Sequence, residues 1–370
     1  MSKNVIQYSD ASVSIDQAPV HIQRFSIQYT YPVYFVENLF AGGNGIFLEA
    51  VSRCEPTRRH RCVFFIDSGV AHAWPNLSDD IAEYHRSHAT ALELVSEPMV
   101  VPGGEGIKND PALVERLHHH LFDLGIDRQS FVVAIGGGAV LDAVGFVAAT
   151  THRGVRHIRV PTTVLAQNDS GVGVKSGVNA FGVKNFVGAF APPFAVLNDF
   201  SFLRTLEPRD KVAGMAEAIK VGLIRDSALF RWIEDNAGRR ANFEDGAVAY
   251  LVRRCAELHM TQIAGGGDPF ESGNQRPLDY GHWAAHKLES LTKHELRHGE
   301  AVAMGMALDS RYATQIGLLR SGEQDRVCAL LESLGLKLWH PAMDSRAPDG
   351  RLALLAGLAD FREHLGGDLS

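Results

Sequence analysis

Ser130-Phe-Val-Val-Ala-Ile-Gly-Gly-Gly-Ala-Val-Leu-Asp142 changes texture in its middle, and that change decides the fold. Ser130 to Ile135 is a short apolar run of the kind that forms a strand buried on both faces. Gly136-Gly137-Gly138 then removes side chains for three residues, and residues 139 to 149 resume as a helix-like segment. Strand, glycine turn and helix in that order form the unit of a parallel nucleotide-binding sheet. The turn departs from Gly-x-Gly-x-x-Gly. It nevertheless sets bare backbone at a helix N-terminus, where amide groups and the helix dipole favour an anion such as a pyrophosphate; a plain tight turn would use the same glycines.

Working outward, Arg61-Cys-Val-Phe-Phe-Ile-Asp67 reads as a second buried strand ending in an acid. Residues 110 to 124 read as a helix, and residues 20 to 36, rich in β-branched and aromatic side chains, as strand. Beyond about residue 207 the chain turns to long amphipathic stretches, at 210 to 223, 246 to 264 and 299 to 316. This predicts an α/β, Rossmann-like domain over 1–206 and a mainly α-helical domain over 207–370, with the active site in the cleft between them. Residues 161 to 193 read as a long loop-rich connection, and long ordered loops usually carry function.

Composition narrows the partners. The 370 residues are 45% hydrophobic and 21% charged, which is globular material sufficient for two cores. A formal net charge of -7 argues against a nucleic-acid surface, so any phosphate is bound locally in a pocket. Cys54, Cys62, Cys255 and Cys328 show no Cys-x-x-Cys spacing and suit reduced thiols. The first ten residues lack the apolar core of a secretory leader, and no apolar stretch approaches the roughly 18 residues of a bilayer span, so a cytoplasmic protein without membrane contact is expected.

Asp67, at a strand end, is placed to accept hydrogen bonds from a ribose, and Glu105 and Lys108 in Pro102-Gly-Gly-Glu-Gly-Ile-Lys108 to flank a nucleotide; each alone also suits a solvated loop. His282 and His286 in Gly281-His-Trp-Ala-Ala-His-Lys-Leu-Glu289 stand four apart, so on a helix both imidazoles face one way, and His298 opens the next helical run. Glu217 lies in the apolar stretch Gly214-Met-Ala-Glu-Ala-Ile-Lys220, where burying it and Lys220 costs desolvation energy unless they are paired or ligated. A His/Glu metal site and a hydrogen-bonded histidine cluster both satisfy this spacing. Two histidines plus a carboxylate leave coordination positions open, as a catalytic ion needs. Arg153, Asp169, Lys175, Lys184 and Asn185 lie in glycine-rich surroundings and fit either a pocket for a small phosphorylated ligand or an exposed loop.

Taken together, Gly136-Gly-Gly-Ala-Val-Leu-Asp142, Val160-Pro-Thr-Thr-Val-Leu-Ala-Gln167, Lys175-Ser-Gly-Val-Asn179, Lys184-Asn185, Ala216-Glu-Ala-Ile-Lys220, Gly281-His282 and His298-Gly-Glu300 resemble 3-dehydroquinate synthase and its relatives, the sugar phosphate cyclases, in order and approximate spacing. The resemblance runs from Asp67 to about Glu300. It implies Glu217, His282 and His298 as ligands of zinc or cobalt. It implies Asp67, Glu105, Lys108, Gly137, Gly138, Asp142, Thr162, Thr163, Phe202 and Thr205 as NAD contacts. Lys175, Lys220, His286 and Asp169 then match catalytic positions, and Arg153, Lys184 and Asn185 match the grip on the sugar phosphate; His286 becomes a substrate-side group and not a ligand. The implied chemistry is a lyase-type cyclisation: transient oxidation by NAD, phosphate elimination, re-reduction and an intramolecular aldol closure, in a homodimer.

Departures from 3-dehydroquinate synthases concern the substrate. Asp279 stands where they carry Asn, His259 where a carboxylate-gripping lysine is expected, and an arginine is displaced or lost in Gly273-Asn-Gln-Arg-Pro-Leu278. His364 stands where a phosphate-binding lysine is expected. Asp279 and His364 resemble the C7-cyclitol synthases that use sedoheptulose 7-phosphate, although those replace His286 by proline. The expected substrate is therefore a ketose phosphate such as sedoheptulose 7-phosphate, with 3-dehydroquinate synthase, a metal-dependent polyol dehydrogenase and a non-catalytic nucleotide-binding relative as alternatives. Relatives also continue a little beyond the position of Ser370.

Overall fold

The first half runs β1 (Val33–Val36), α1 (Ile46–Ser52), β2 (His60–Asp67), α2 (Ser68–Ala73), α3 (Leu77–Ser87), β3 (Leu92–Leu94), β4 (Met99–Val101), α4 (Pro111–Asp123), β5 (Phe131–Gly136), α5 (Gly138–Thr150), β6 (Arg156–Pro161), α6 (Val164–Asn168), β7 (Lys175–Ala180), β8 (Val183–Phe190) and β9 (Ala195–Asp199). The second half runs α7 (Pro208–Arg225), α8 (Ser227–Ala237), α9 (Asp245–Gly265), α10 (His282–Leu291), α11 (His298–Gln315), α12 (Glu323–Ser333) and α13 (Ala356–Leu365). This computed structural model describes residues 22–237, 245–265, 270 and 277–365, with the side chains of 245 and 362–365 excepted.

Seven strands form one parallel sheet in the order β1-β9-β6-β5-β2-β3, with β4 also paired to β2. Parallel strands need cover on both faces, which explains the unbroken apolar runs. Alternate residues of β2 and β5 go to opposite sides. Phe64, Ile66, Val133 and Ile135 pack with Phe47, Ile81 and Tyr84 of α1 and α3. Val63, Phe65, Val132 and Ala134 pack with Leu117, Leu121, Val140 and Val144 of α4 and α5. Because all strands run one way, Asp67, Val101, Gly136, Pro161 and Asp199 end them along a single edge, with Gly136 opposite Pro161 and Asp67 opposite Val101. Ligand sites of open parallel sheets lie beyond that edge.

Two sequence expectations change. Of the described residues 22–36, only Val33–Val36 forms a strand; residues 22–32 have the β-rich composition but no strand pairing. The stretch expected to be loop-rich holds α6, a 3-10 turn (Ser170–Val172) and the antiparallel hairpin β7/β8.

Beyond Asp199 the helices close around their own core, which includes Ile219, Phe230, Val252, Leu288, Val302 and Leu331. Their backbones meet at glycines. A Cβ on Gly305 of α11 would strike the Gly281 carbonyl, and one on Gly299 the Ala213 carbonyl of α7. Among the described residues no helix is long and apolar enough to cross a membrane.

Candidate active site

Those close approaches bring α7, α10 and α11 together around one point. Glu217 Oε1 lies 3.6 Å from His282 Nε2 and 3.5 Å from His298 Nε2. Ligands about 2.0–2.2 Å from a tetrahedral ion stand about 3.3–3.6 Å apart, so the spacing suits one divalent cation. Glu217 is wholly buried, and its Oε1 has no hydrogen-bond partner. Lys220 Nζ pairs with Oε2 as a close ion pair. A buried carboxylate oxygen facing two imidazole nitrogens, with the lysine on the other oxygen, is what a metal position requires, and the residues fit the group.

Each ligand is oriented from behind. His282 Nδ1 donates to the Tyr280 carbonyl at 3.1 Å. The preceding Gly281 is left-handed (φ 79°), and its N–H and the Trp283 indole both donate to Asp309, each at 2.8 Å, which brackets His282. His298 Nδ1 meets Glu289 Oε2 at 3.1 Å. Burial, with Lys220 nearby, pushes His282 down to about 3, so it is neutral. Burial opposes protonation of His298 too, but Glu289 and Glu217 outweigh it and push its pKa up to about 9 in the metal-free protein.

The other predicted residues are distributed around this point. His286 faces both histidines, with ring centroids 5.5 Å from His282 and 5.9 Å from His298, and burial holds it well below the usual imidazole range. Asp169, at the end of α6, pairs with His259 of α9 at 3.0 Å. Burial would raise Asp169, but His259 and Lys220 outweigh it and hold it low. Lys220 remains protonated: burial works against it, and Glu217, Asp169 and then Asp279 outweigh that. Asp279 sits in the 3-10 turn before α10 (Pro277–Asp279).

On the sheet side, the wholly buried Lys108 donates to Asp142 at 2.9 Å and to Asn185, with Glu105 at 3.7 Å. Asn179 receives the Asn185 N–H (2.8 Å) and donates to Glu105 (2.9 Å), so residues expected on the nucleotide side and on the sugar side form one network. Gly137 lies against Thr163, and Thr162 N–H donates to Gly136, around the start of α5. Asp67 caps α2 through Gly69 N–H (2.8 Å). Phe202 is buried edge-on to Trp74, whose indole donates to Thr205 at 3.0 Å. Lys184 reaches Glu289, and Lys175 begins β7 with its side chain at the surface.

Two predicted residues are not assembled with the rest. Arg153 lies in the turn before β6, at the sheet edge opposite Gly136. The side chain of His364, like all of Arg276, falls outside the described residues. Sequence reasoning passed over Glu289, Asp309 and Arg159. Glu289 had one signal, a carboxylate three residues past His286 on an apolar helix. The guanidinium of Arg159, wholly buried, donates to the carbonyls of Gly173 and Lys175 (both 2.8 Å) and to Ser176 Oγ (3.0 Å), fixing the chain between Asp169 and β7.

Comparison with known proteins gives the family. Family models described as 3-dehydroquinate synthase N-terminal and C-terminal match residues 98–213 and 214–353, more than half of the chain. The chain belongs to the 3-dehydroquinate synthase family. It is 42% identical to the 3-dehydroquinate synthase of Pelotomaculum thermopropionicum over 226 residues, which is 61% of this chain and 60% of that relative's length. Within this family its structure is similar to ValA, a 2-epi-5-epi-valiolone synthase from Streptomyces hygroscopicus subsp. jinggangensis 5008 solved with NAD+ and Zn2+ (TM-score 0.80, 28% identity, 94% of this chain and 90% of that one). It is also similar to a 2-deoxy-scyllo-inosose synthase solved with carbaglucose-6-phosphate, NAD+ and Co2+ (TM-score 0.72, 26% identity, 89% and 83%).

Proposed function

We propose that this family member is an NAD- and divalent-metal-dependent sugar phosphate cyclase whose substrate is a ketose phosphate without a carboxylate, such as sedoheptulose 7-phosphate. The observation that carries the reading is the Glu217, His282 and His298 cluster standing beside Lys220 and the Lys184–Glu289 pair. Zinc or cobalt held by those three residues would polarise a sugar oxygen, and NAD would take up and return a hydride. The bare backbone of Gly137 and Gly138 at the start of α5 suits the NAD pyrophosphate, and Asp67 its ribose. Lys108, held by Asp142 and Glu105, orients Asn185 toward the sugar phosphate, with Lys175 and Lys184 as cations for the phosphate. His286, neutral at pH 7, is suited to take a proton, and Asp169 and Lys220 carry fixed charges that orient the sugar hydroxyls.

The substrate preference is electrostatic. His259, where the family's carboxylate-binding lysine is expected, already engages Asp169, and Asp279 adds negative charge near Lys220. A substrate carboxylate needs a paired cation or several donors and would meet these two acids instead. The four cysteines, all free, are in keeping with work in the cytoplasm, and exposed Phe181 (88%), Phe186 (58%) and Phe190 (50%) on the β7/β8 hairpin with a homodimer. Phosphate release from a panel of sugar phosphates tests the preference: a higher kcat/KM for sedoheptulose 7-phosphate than for the carboxylate-bearing substrate of 3-dehydroquinate synthase is expected. The reverse order would make 3-dehydroquinate synthase the activity.

A further inference from the structure

Glu289 lies almost wholly buried in the last turn of α10, and its two oxygens face different partners. Oε2 lies 3.1 Å from His298 Nδ1, and Oε1 accepts from Lys184 Nζ on β8 at 2.9 Å. A carboxylate can only accept, so Nδ1 of His298 carries the hydrogen. That makes Nε2, the nitrogen 3.5 Å from Glu217, the one that gives up its proton to offer a metal its lone pair. Lys184 belongs to the hairpin of the first half and His298 to a helix of the second. One buried carboxylate therefore joins the two halves of the chain.

We infer that Glu289 is a positioning residue: it fixes which nitrogen of His298 faces the metal position and, through its other oxygen, holds Lys184 at the same place. The inference rests on the metal reading of Glu217, His282 and His298. His286, Glu289 and His298 also have ligand atoms within 4.8 Å of one another. A second cation there would meet the Lys184 ammonium already on Glu289, so the orienting role is the one the contacts favour.

The test is a Co2+ titration followed by visible absorption, on Glu289→Ala, Glu289→Gln, Lys184→Met and His282→Ala, with thermal unfolding of each metal-free protein. Glu289→Ala should weaken Co2+ binding by about 10–100-fold and shift the absorption band, as loss of a carboxylate behind a ligating histidine generally does. The near-isosteric Glu289→Gln should also weaken it, because an amide cannot accept from both partners, and this variant carries the test if the alanine fails to fold. Lys184→Met should leave Co2+ affinity near the starting value. The double variant of Glu289→Ala with Lys184→Met should regain unfolding temperature, since no ammonium is stranded, yet keep the weak Co2+ binding. Unchanged Co2+ affinity and spectrum in both Glu289 variants, with binding lost in His282→Ala, would overturn the inference alone. Full binding in His282→Ala would instead remove the metal reading beneath it.

Discussion

Gly305→Ala is the substitution whose effect follows most directly from the way the helices meet. The added methyl would overlap the Gly281 carbonyl oxygen, with the carbonyl carbon at 2.8 Å and Gly281 Cα at 3.0 Å. Carbon atoms rest at about 3.5–4.0 Å, so α10 and α11 must part by about 0.7 Å at least, and no rotamer change can relieve a backbone contact. Overpacking of this kind costs about 1–3 kcal/mol, offset by up to about 1 kcal/mol from replacing glycine within a helix. The larger consequence falls on the metal position, because His282 opens α10 and His298 opens α11. A site that tolerates deviations of about 0.2 Å cannot absorb a parting of that size, so Co2+ affinity should fall along with a lower unfolding temperature. Gly246→Ala on α9, where a methyl meets nothing within 4 Å, is the control and should be neutral or mildly stabilising. Wild-type Co2+ affinity and an unchanged melt in Gly305→Ala would refute the reasoning.

Other substitutions probe the rest of the account. Asp226 accepts from the Ala228 and Leu229 N–H groups and from Arg254, which holds its carboxyl below the usual range against a smaller effect of burial. A depressed folded-state pKa contributes stability above the unfolded value of about 3.9 and loses it as pH falls through the folded value. Asp226→Asn should therefore cost about 1 kcal/mol at pH 7 and progressively less toward pH 3, checked by denaturant unfolding; a pH-independent cost would contradict this. Asp67→Asn should raise the Kd for NAD about tenfold or more, as loss of a charged acceptor implies, without altering Co2+ affinity in parallel titrations. Arg159→Met strands several buried carbonyls at about 1–3 kcal/mol each and should lower the unfolding midpoint markedly; an unchanged midpoint would show those bonds to be idle.

The parallel sheet was legible because β2 and β5 are buried on both faces and end in Asp67 and the triple glycine. The helical half was legible from its amphipathic period. The hairpin was not: Phe186, Val187 and Phe190 are apolar yet exposed, so β8 lacks the inward–outward alternation that marks a strand. Residues 22–32 failed in the opposite sense, since β-propensity without a neighbouring strand gives no ladder. In the site, residue type and spacing pointed to His282, His286, His298 and Glu217, and the family resemblance took His286 out of the ligand set. The roles of Glu289 and Arg159 depend on contacts that no local pattern carries, Lys184 lying 105 positions from Glu289. Arg153 shares the charge and glycine-rich setting of its fellow candidates, and only strand direction separates it from them.

The most direct measurement supplies the enzyme with Zn2+ or Co2+, excess sedoheptulose 7-phosphate and substoichiometric NAD, and follows phosphate and NADH together. The account predicts phosphate release far beyond the NAD present, no accumulating NADH and a carbocyclic product, with phosphate release and product both lost in His282→Ala. NADH rising in step with product would mark a dehydrogenase and contradict the cyclase reading. Bound NAD with no phosphate released from any sugar phosphate would contradict catalysis at this site altogether.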